Sequence, residues 1–126
     1  MATESANATT LYARIGGYDM LAAIVDEFLQ TLSSEPRMAR FAASFESRKR
    51  NRQLTLDYLS AACGGPTIYL GKDMKTSHAG LGISADEWTM AMDHIERALV
   101  KLKAPERESK ELIAVFSGLA DQIVER

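Results

Sequence analysis

The chain of 126 residues contains a single cysteine, Cys63, and only two histidines, His78 and His94. One thiol excludes an internal disulfide and leaves no neighbouring thiol for a zinc knuckle. The histidines have no cysteine or carboxylate partners at the spacing of a closed zinc or iron site. The sequence therefore predicts that packing or a bound cofactor, rather than cysteine chemistry or a metal held by the chain alone, stabilises the fold.

Long apolar runs and a strong excess of charge are also missing. No run approaches the roughly 20 apolar residues that cross a bilayer, so we expect no membrane contact. The formal net charge of −2 provides no general attraction to nucleic acid or anionic lipid. We interpret the basic stretch at residues 48–52 as the solvated start of a helix, because Glu46 and Asp57 flank it and it contains no aromatic residue. Residues 1–10 lack the order of a secretory signal, which predicts a cytoplasmic location.

No stretch alternates apolar and polar residues as a half-buried strand does, and no internal repeat is visible. Apolar residues instead recur at three- and four-residue intervals, which indicates amphipathic helices. The length and the 46% share of hydrophobic residues suit one buried core. We therefore predict a single all-α domain over residues 1–126, in which residues 1–10 form a flexible segment or a short arm.

Glycine, proline and capping residues mark the predicted helix ends. A short helix over residues 11–15 ends at the glycine pair 16–17, and the next helix has an apolar face over residues 20–32. Pro36 opens a short turn. A third helix runs from about residue 47 to residue 62. Its predicted inward residues are Leu54, Thr55, Tyr58, Leu59 and Ala62.

A capping box predicts where the fourth, long helix begins. Ser84 can accept from a backbone amide while Glu87 returns to the amide of the capping residue. Pro105 opens the last helix, whose pattern continues to Val124. The predicted apolar positions of these two helices are Trp88, Met92, Ile95, Leu99, Leu102, Leu112, Phe116, Leu119, Ile123 and Val124.

Residues 67–83 differ from these helices, because they combine several glycines with only a short helical pattern and His78. An iron porphyrin needs just one protein imidazole beside an apolar slot, since the macrocycle supplies four nitrogen ligands. Met74 precedes His78 by four residues, so a helical turn would place both side chains on one face. From spacing alone, however, a single histidine in such a loop is more often a surface or hydrogen-bonded residue than a ligand.

His94 is the other candidate, since a second axial histidine would make an iron six-coordinate. It lies beside Asp93 and Glu96 and one residue before the apolar stripe at Ile95. We interpret it as a structural, partly exposed imidazole.

Four sequence motifs occur in order along the chain: LYARIGG at residues 11–17, VDEF at 25–28, GGP with YLG between 64 and 71, and MKTSHAGLGIS at 74–84. With these motifs at these separations, the sequence resembles the group I truncated haemoglobins over residues 11–124. The resemblance implies a globin-like two-over-two helical sandwich around one haem b per chain, with His78 as the proximal iron ligand.

The resemblance also implies which residues contact the haem. Tyr69 and Lys75 should lie near the propionates, and Leu59 should contact the haem from the third helix. For each apolar member the alternative is ordinary core packing. The other residues that the resemblance implies line the haem are Met74, Ser77, Ile83, Trp88, Ala91 and Phe116.

On the distal side the sequence departs from its relatives, because Leu29 stands where many group I members have a tyrosine that donates to the bound gas. Counting back from the glycine pair 64–65 places four residues over the ligand. Tyr58 can either turn its hydroxyl toward the ligand or pack its ring against the haem. A phenylalanine expected before the distal helix is either Phe41 or Phe45. The four residues over the ligand are Asn51, Leu54, Thr55 and Tyr58.

The implied function is the binding of oxygen, nitric oxide or carbon monoxide at the haem iron, for oxygen transport or for nitric oxide detoxification. A nitric oxide dioxygenase-type or peroxidase-like activity would need a reductase. The resemblance implies a monomer or weak homodimer. The alternatives are a haem-based sensor and a haem-free helical interaction module.

Overall fold

The computed structural model describes the backbone of residues 10–41 and 48–125 and the side chains of residues 10–38 and 52–125. Every regular element in these ranges is helical, which confirms the predicted class. Residues 1–9 of the arm predicted at residues 1–10 lie outside the described ranges. The elements are α1 (Leu11–Ile15), α2 (Gly17–Ser33), a 3₁₀ turn (Pro36–Phe41), α3 (Arg48–Ala62), α4 (Met74–His78), α5 (Ala85–Lys101), α6 (Glu106–Ser117) and α7 (Ala120–Ile123).

The helices form two pairs, α2 with α3 and α5 with α6. The pairs pack together mainly through α2 and α5, while α1 contacts both α2 and α6. The short helices α4 and α7 lie against each other. This arrangement is the predicted two-over-two sandwich. No helix in the described part of the chain is long and apolar enough to span a membrane.

One core cluster joins these helices. Its fully buried side chains come from α1, α2, α3, α5 and α6, so each long helix contributes an apolar face. Burying each such side chain stabilises the fold by about 1.5–3 kcal/mol. The cluster includes Ile15, Leu21, Ile24, Val25, Leu56, Leu59, Ile95, Leu99 and Leu112.

Local hydrogen bonds fix where the helices begin. The Thr10 hydroxyl accepts from the amide of Ala13 at 3.1 Å and caps α1. The predicted capping box at the start of α5 is confirmed: the Glu87 amide donates to Ser84 Oγ at 3.2 Å, and the Ser84 amide donates to Glu87 Oε1 at 2.9 Å. Gly16 has a φ of 121°, and a Cβ there would lie 2.8 Å from Met20 Cβ, so this joint requires glycine.

Two details of the helix predictions are wrong. The last helix does not run unbroken to Val124 but stops at Ser117 and resumes as α7. Gly118 interrupts it, and the Leu119 amide donates to the carbonyl of Phe116, which tightens the backbone into a 3₁₀-like turn. Ala62 is exposed, whereas Leu56 is fully buried. Helix α3 therefore has two inward faces. Leu56 lies on the face that packs in the core, which differs from the predicted face.

An ion cluster ties α1 to α6. Arg14 donates to Glu108 Oε2 at 2.8 Å and to both oxygens of Glu111 at 2.5 and 2.9 Å. Glu108 is 9% exposed, so its charge requires this partner. The hydrogen bond from Arg14 lowers the pKa of Glu111.

Candidate functional site

A cavity of about 430 Å³ lies between the two helix pairs. Its volume falls in the range of small-molecule and cofactor sites, and most of its lining residues are apolar. It brings together side chains from α2, α3, α4, α5 and α6. The predicted residues that line it are Leu29, Leu54, Thr55, Tyr58, Leu59, Tyr69, Met74, Ser77, His78, Ile83, Trp88, Ala91 and Phe116.

His78 is the last residue of α4 and is half-buried at the cavity wall. Its Nδ1 lies 2.8 Å from the carbonyl oxygen of Met74, one helical turn earlier. A carbonyl can only accept, so Nδ1 carries a proton in this contact, and in the tautomer with its proton on Nδ1 the lone pair is on Nε2. Ser77 Oγ lies 2.9 Å from the same nitrogen and restrains the ring further. A histidine whose second nitrogen bonds to a backbone carbonyl has the tautomer that metal ligation needs.

The wall formed by α2 and α3 contains few polar groups. Leu29 contributes a hydrocarbon side chain, and the available hydroxyls belong to Thr55 and Tyr58. Neither hydroxyl has a hydrogen bond to another residue within the described side chains. Among the described side chains, these two hydroxyls are therefore the groups that can donate to a ligand on this side.

Tyr58 also packs against Tyr69. Their ring centroids are 5.2 Å apart at an interplanar angle of 86°, an edge-to-face contact. The Tyr69 hydroxyl donates to the Lys72 carbonyl at 2.5 Å. A Cβ at Gly71 would lie 2.4 Å from Tyr69 Oη, so glycine is needed for this close approach. The pair fixes one edge of the cavity.

Some predicted site residues cannot be placed in the cavity wall. Lys75 is exposed on α4 and does not line the cavity. The side chains of Phe41 and Asn51 and the whole of Phe45 lie outside the described residues. The choice between the two phenylalanines therefore stays open.

Sequence reasoning did not assign several lining residues to the site. Six of them stood only as apolar helix positions, because periodicity does not separate residues that face a core from those that face a cavity. Met38 comes from the short 3₁₀ turn and Leu81 from the loop after α4, and neither segment has a periodic signal. Glu87 was predicted only as a capping residue, and no sequence signal indicated that it is buried, with 2% of its surface exposed. The nine are Phe28, Leu32, Met38, Leu81, Glu87, Met92, Ile95, Leu119 and Ile123.

His94 is structural, as predicted, but the prediction of a partly exposed ring is wrong. It is 4% exposed, with Nδ1 at 3.0 Å from Thr31 Oγ1 and Nε2 at 2.9 Å from Glu35 Oε1. Its acidic sequence neighbours Asp93 and Glu96 suggested a surface position. The ring instead points between α5 and the end of α2, where both nitrogens find partners.

The cavity residues fit a haem. In the described part of the chain no group of three histidine, cysteine or carboxylate side chains could hold a metal ion alone. A porphyrin removes that requirement, because it supplies four ligands and needs one imidazole with an available nitrogen. The bond from His78 Nδ1 to the Met74 carbonyl provides that imidazole beside an apolar cavity.

A two-over-two helical fold with one such histidine at its cavity defines a haem protein of the globin class. The chain matches the family described as bacterial-like globin over residues 10–125 and belongs to it. The group 1 truncated haemoglobin of Mycolicibacterium paratuberculosis is 29% identical over 121 residues, covering 95% of this chain and 88% of the relative. The group 1 truncated haemoglobin of Tetrahymena pyriformis is 26% identical, covering 74% of this chain and 76% of its own.

Solved structures agree with the fold. A haemoglobin from Chloroflexus aurantiacus has a TM-score of 0.81 at 25% identity, covering 93% of this chain and 98% of its own. The ferric truncated haemoglobin of Tetrahymena pyriformis has a TM-score of 0.84 at 21% identity, covering 94% of this chain and all of its own. The resemblance to truncated haemoglobins is thus confirmed, and the family implies haem as the cofactor and a diatomic gas as the ligand.

Proposed function

We propose that His78 Nε2 is the proximal ligand of one haem b, and that the chain binds oxygen, nitric oxide or carbon monoxide reversibly. The observation that carries this proposal is the hydrogen bond of 2.8 Å between His78 Nδ1 and the Met74 carbonyl at the cavity wall. When bound, the haem iron supplies the coordination position at which the gas is held. The chain's own residues set the orientation of the imidazole and the access of gas to the cavity.

The distal side supports fast exchange of oxygen rather than its storage. A donor in a dry pocket stabilises a gas ligand that acquires negative charge by about 1.5–3 kcal/mol. Leu29 cannot donate, and Thr55 and Tyr58 are the remaining donors in the described wall. Carbon monoxide and nitric oxide depend less on such a bond than oxygen does. We therefore propose a gas selectivity shifted toward nitric oxide and carbon monoxide.

Handling of nitric oxide is the role that this selectivity fits best. Conversion to nitrate would require oxygen and an external reductase, and we propose a cytoplasmic setting where reductases are available. An apolar lining favours uncharged gases over water, and a drier cavity limits side reactions. Peroxidase-like chemistry is a second activity that haem could support in this cavity.

An absorption spectrum of the purified protein in its ferric, ferrous and carbon monoxide forms tests the haem proposal. We expect a strong Soret band that is lost in His78→Ala and restored by added imidazole, because free imidazole can replace the missing ligand. Thr89→Ala, which changes an exposed hydroxyl on α5, serves as the matched control and should keep the band. A colourless wild-type protein after incubation with hemin would favour a haem-free interaction module instead.

The nitric oxide role has its own test. The protein is equilibrated with oxygen in the presence of a reductant and then mixed with repeated portions of nitric oxide. Sustained production of nitrate would support turnover. A gas-binding protein that yields no nitrate beyond one equivalent would instead be a carrier or a sensor.

A further inference from the structure

The loop that follows His78 contacts the carboxylate of Glu125, near the far end of the described chain. Glu125 Oε2 accepts from the amide of Gly80 at 3.0 Å, and Oε1 accepts from the amide of Gly82 at 2.8 Å. The amide of Glu125 also donates to the carbonyl of Ile83 at 2.8 Å. Three hydrogen bonds therefore connect this residue to the four-residue stretch that begins two residues after His78.

The two glycines shape the loop for this contact. Gly80 and Gly82 have φ angles of 83° and 67°, in the left-handed region that glycine adopts without strain. Alternating left-handed residues turn neighbouring backbone amides toward one point and form a concave anion site. The Glu125 carboxylate occupies that point, and the bonds from Gly80 and Gly82 lower its pKa.

The contact reaches the candidate iron ligand through short connections. The amide of Leu81 donates to the His78 carbonyl at 3.3 Å, so the loop closes directly onto the end of α4. Helix α7, which ends just before Glu125, packs on α4, and its Ile123 lines the same cavity as His78. Because α4 has only five residues, its own hydrogen bonds provide little rigidity.

We propose that Glu125 is a positioning residue for His78. Its carboxylate holds the glycine loop against α7 and thereby sets the depth and angle at which the imidazole meets the haem iron. The proposal rests on the proposed role of His78 as proximal ligand. Glu125 lies more than 40 positions from the glycine loop and outside the sequence motif around His78, so the motif alone does not indicate this role.

The test uses the haem-loaded protein and two measurements. Hydrogen exchange of the Gly80 and Gly82 amides reports the contact itself. The iron–histidine stretching band in the resonance Raman spectrum of the ferrous form reports the position of His78. The variants are Glu125→Ala, which removes the carboxylate, and Glu125→Gln, which keeps the length and one carbonyl acceptor. Asp121→Asn removes a charge from an exposed position on α7 and is the matched control.

In Glu125→Ala we expect the two glycine amides to exchange faster by about tenfold or more, because charge-assisted hydrogen bonds are lost. The iron–histidine band should shift or broaden. Glu125→Gln should lie between Ala and wild type, and Asp121→Asn should match wild type.

Faster glycine exchange with an unchanged iron–histidine band in Glu125→Ala would overturn the positioning role. Unchanged exchange would overturn the contact itself. Absence of an iron–histidine band in the wild-type protein would instead contradict the proposed role of His78, while the exchange measurement would still report on Glu125.

Discussion

The two histidines lie in regions that differ in how the protein bonds the ring nitrogens. His94 is buried, and its two ring nitrogens are bonded to Thr31 and Glu35. His78 is half-buried, and the described residues bond its Nδ1 but not its Nε2. An imidazole with both nitrogens bonded to protein has no lone pair for a metal. The number of ring nitrogens bonded to the described residues, two in His94 and one in His78, thus separates the structural histidine from the candidate ligand.

The region around His94 also supports the cavity. Thr31 and Glu35 flank the end of α2, next to the 3₁₀ turn. The adjoining apolar cluster contains Leu32 and Met38, which both line the cavity. His94 therefore holds one wall in place, whereas His78 faces the space that this wall encloses.

The largest effects are expected when each histidine in turn is exchanged for leucine. In His94→Leu the Glu35 carboxylate and the Thr31 hydroxyl lose a buried partner, so we expect the free energy of unfolding to fall by about 2–4 kcal/mol. The ferrous absorption spectrum should be preserved. His78→Leu should remove that spectrum. Urea unfolding and absorption spectra check both, and loss of the Soret band in folded His94→Leu would contradict the division of roles.

Leu29→Tyr sharpens the comparison on the opposite wall of the cavity. A phenol O–H at this position can donate to the gas ligand, so we expect oxygen dissociation to slow by about one to two decades. Stopped-flow displacement of oxygen by carbon monoxide measures the rate. Leu29→Phe adds the ring without the hydroxyl and is the control. Equal rates in the Tyr variant and the wild type would mean that another residue already acts as the donor.

Glu35→Gln separates hydrogen bonding from charge in the His94 region. The amide keeps a carbonyl or an N–H toward Nε2, so we expect a loss of about 1 kcal/mol or less in the free energy of unfolding. Urea unfolding beside His94→Leu provides the measurement. A loss as large as that of His94→Leu would show that the carboxylate charge, rather than the hydrogen bond, stabilises the junction.

The helices followed from local signals in the sequence, whereas most of the cavity wall followed from the resemblance to the truncated haemoglobins. The apolar stripe of α2 and the capping box at Ser84 are set by neighbours within one or two turns. The environment of His94 could not be predicted in this way, since its partners Thr31 and Glu35 lie about 60 positions away. The contact between Glu125 and the glycine loop also spans more than 40 positions.

The smallest effect is expected for the pH dependence of stability, which tests the Glu125 contact. Hydrogen bonds from the Gly80 and Gly82 amides lower the pKa of Glu125 below its ordinary value of 4.5. A carboxylate whose pKa is lower in the folded state stabilises the fold fully at pH values above its unfolded-state pKa. This stabilisation is lost as the pH falls through the folded-state pKa. The urea midpoint of wild type should therefore exceed that of Glu125→Gln near neutral pH, and the difference should shrink below pH 4.5. A constant difference across the titration would mean that the carboxylate charge does not contribute, because the neutral amide cannot titrate.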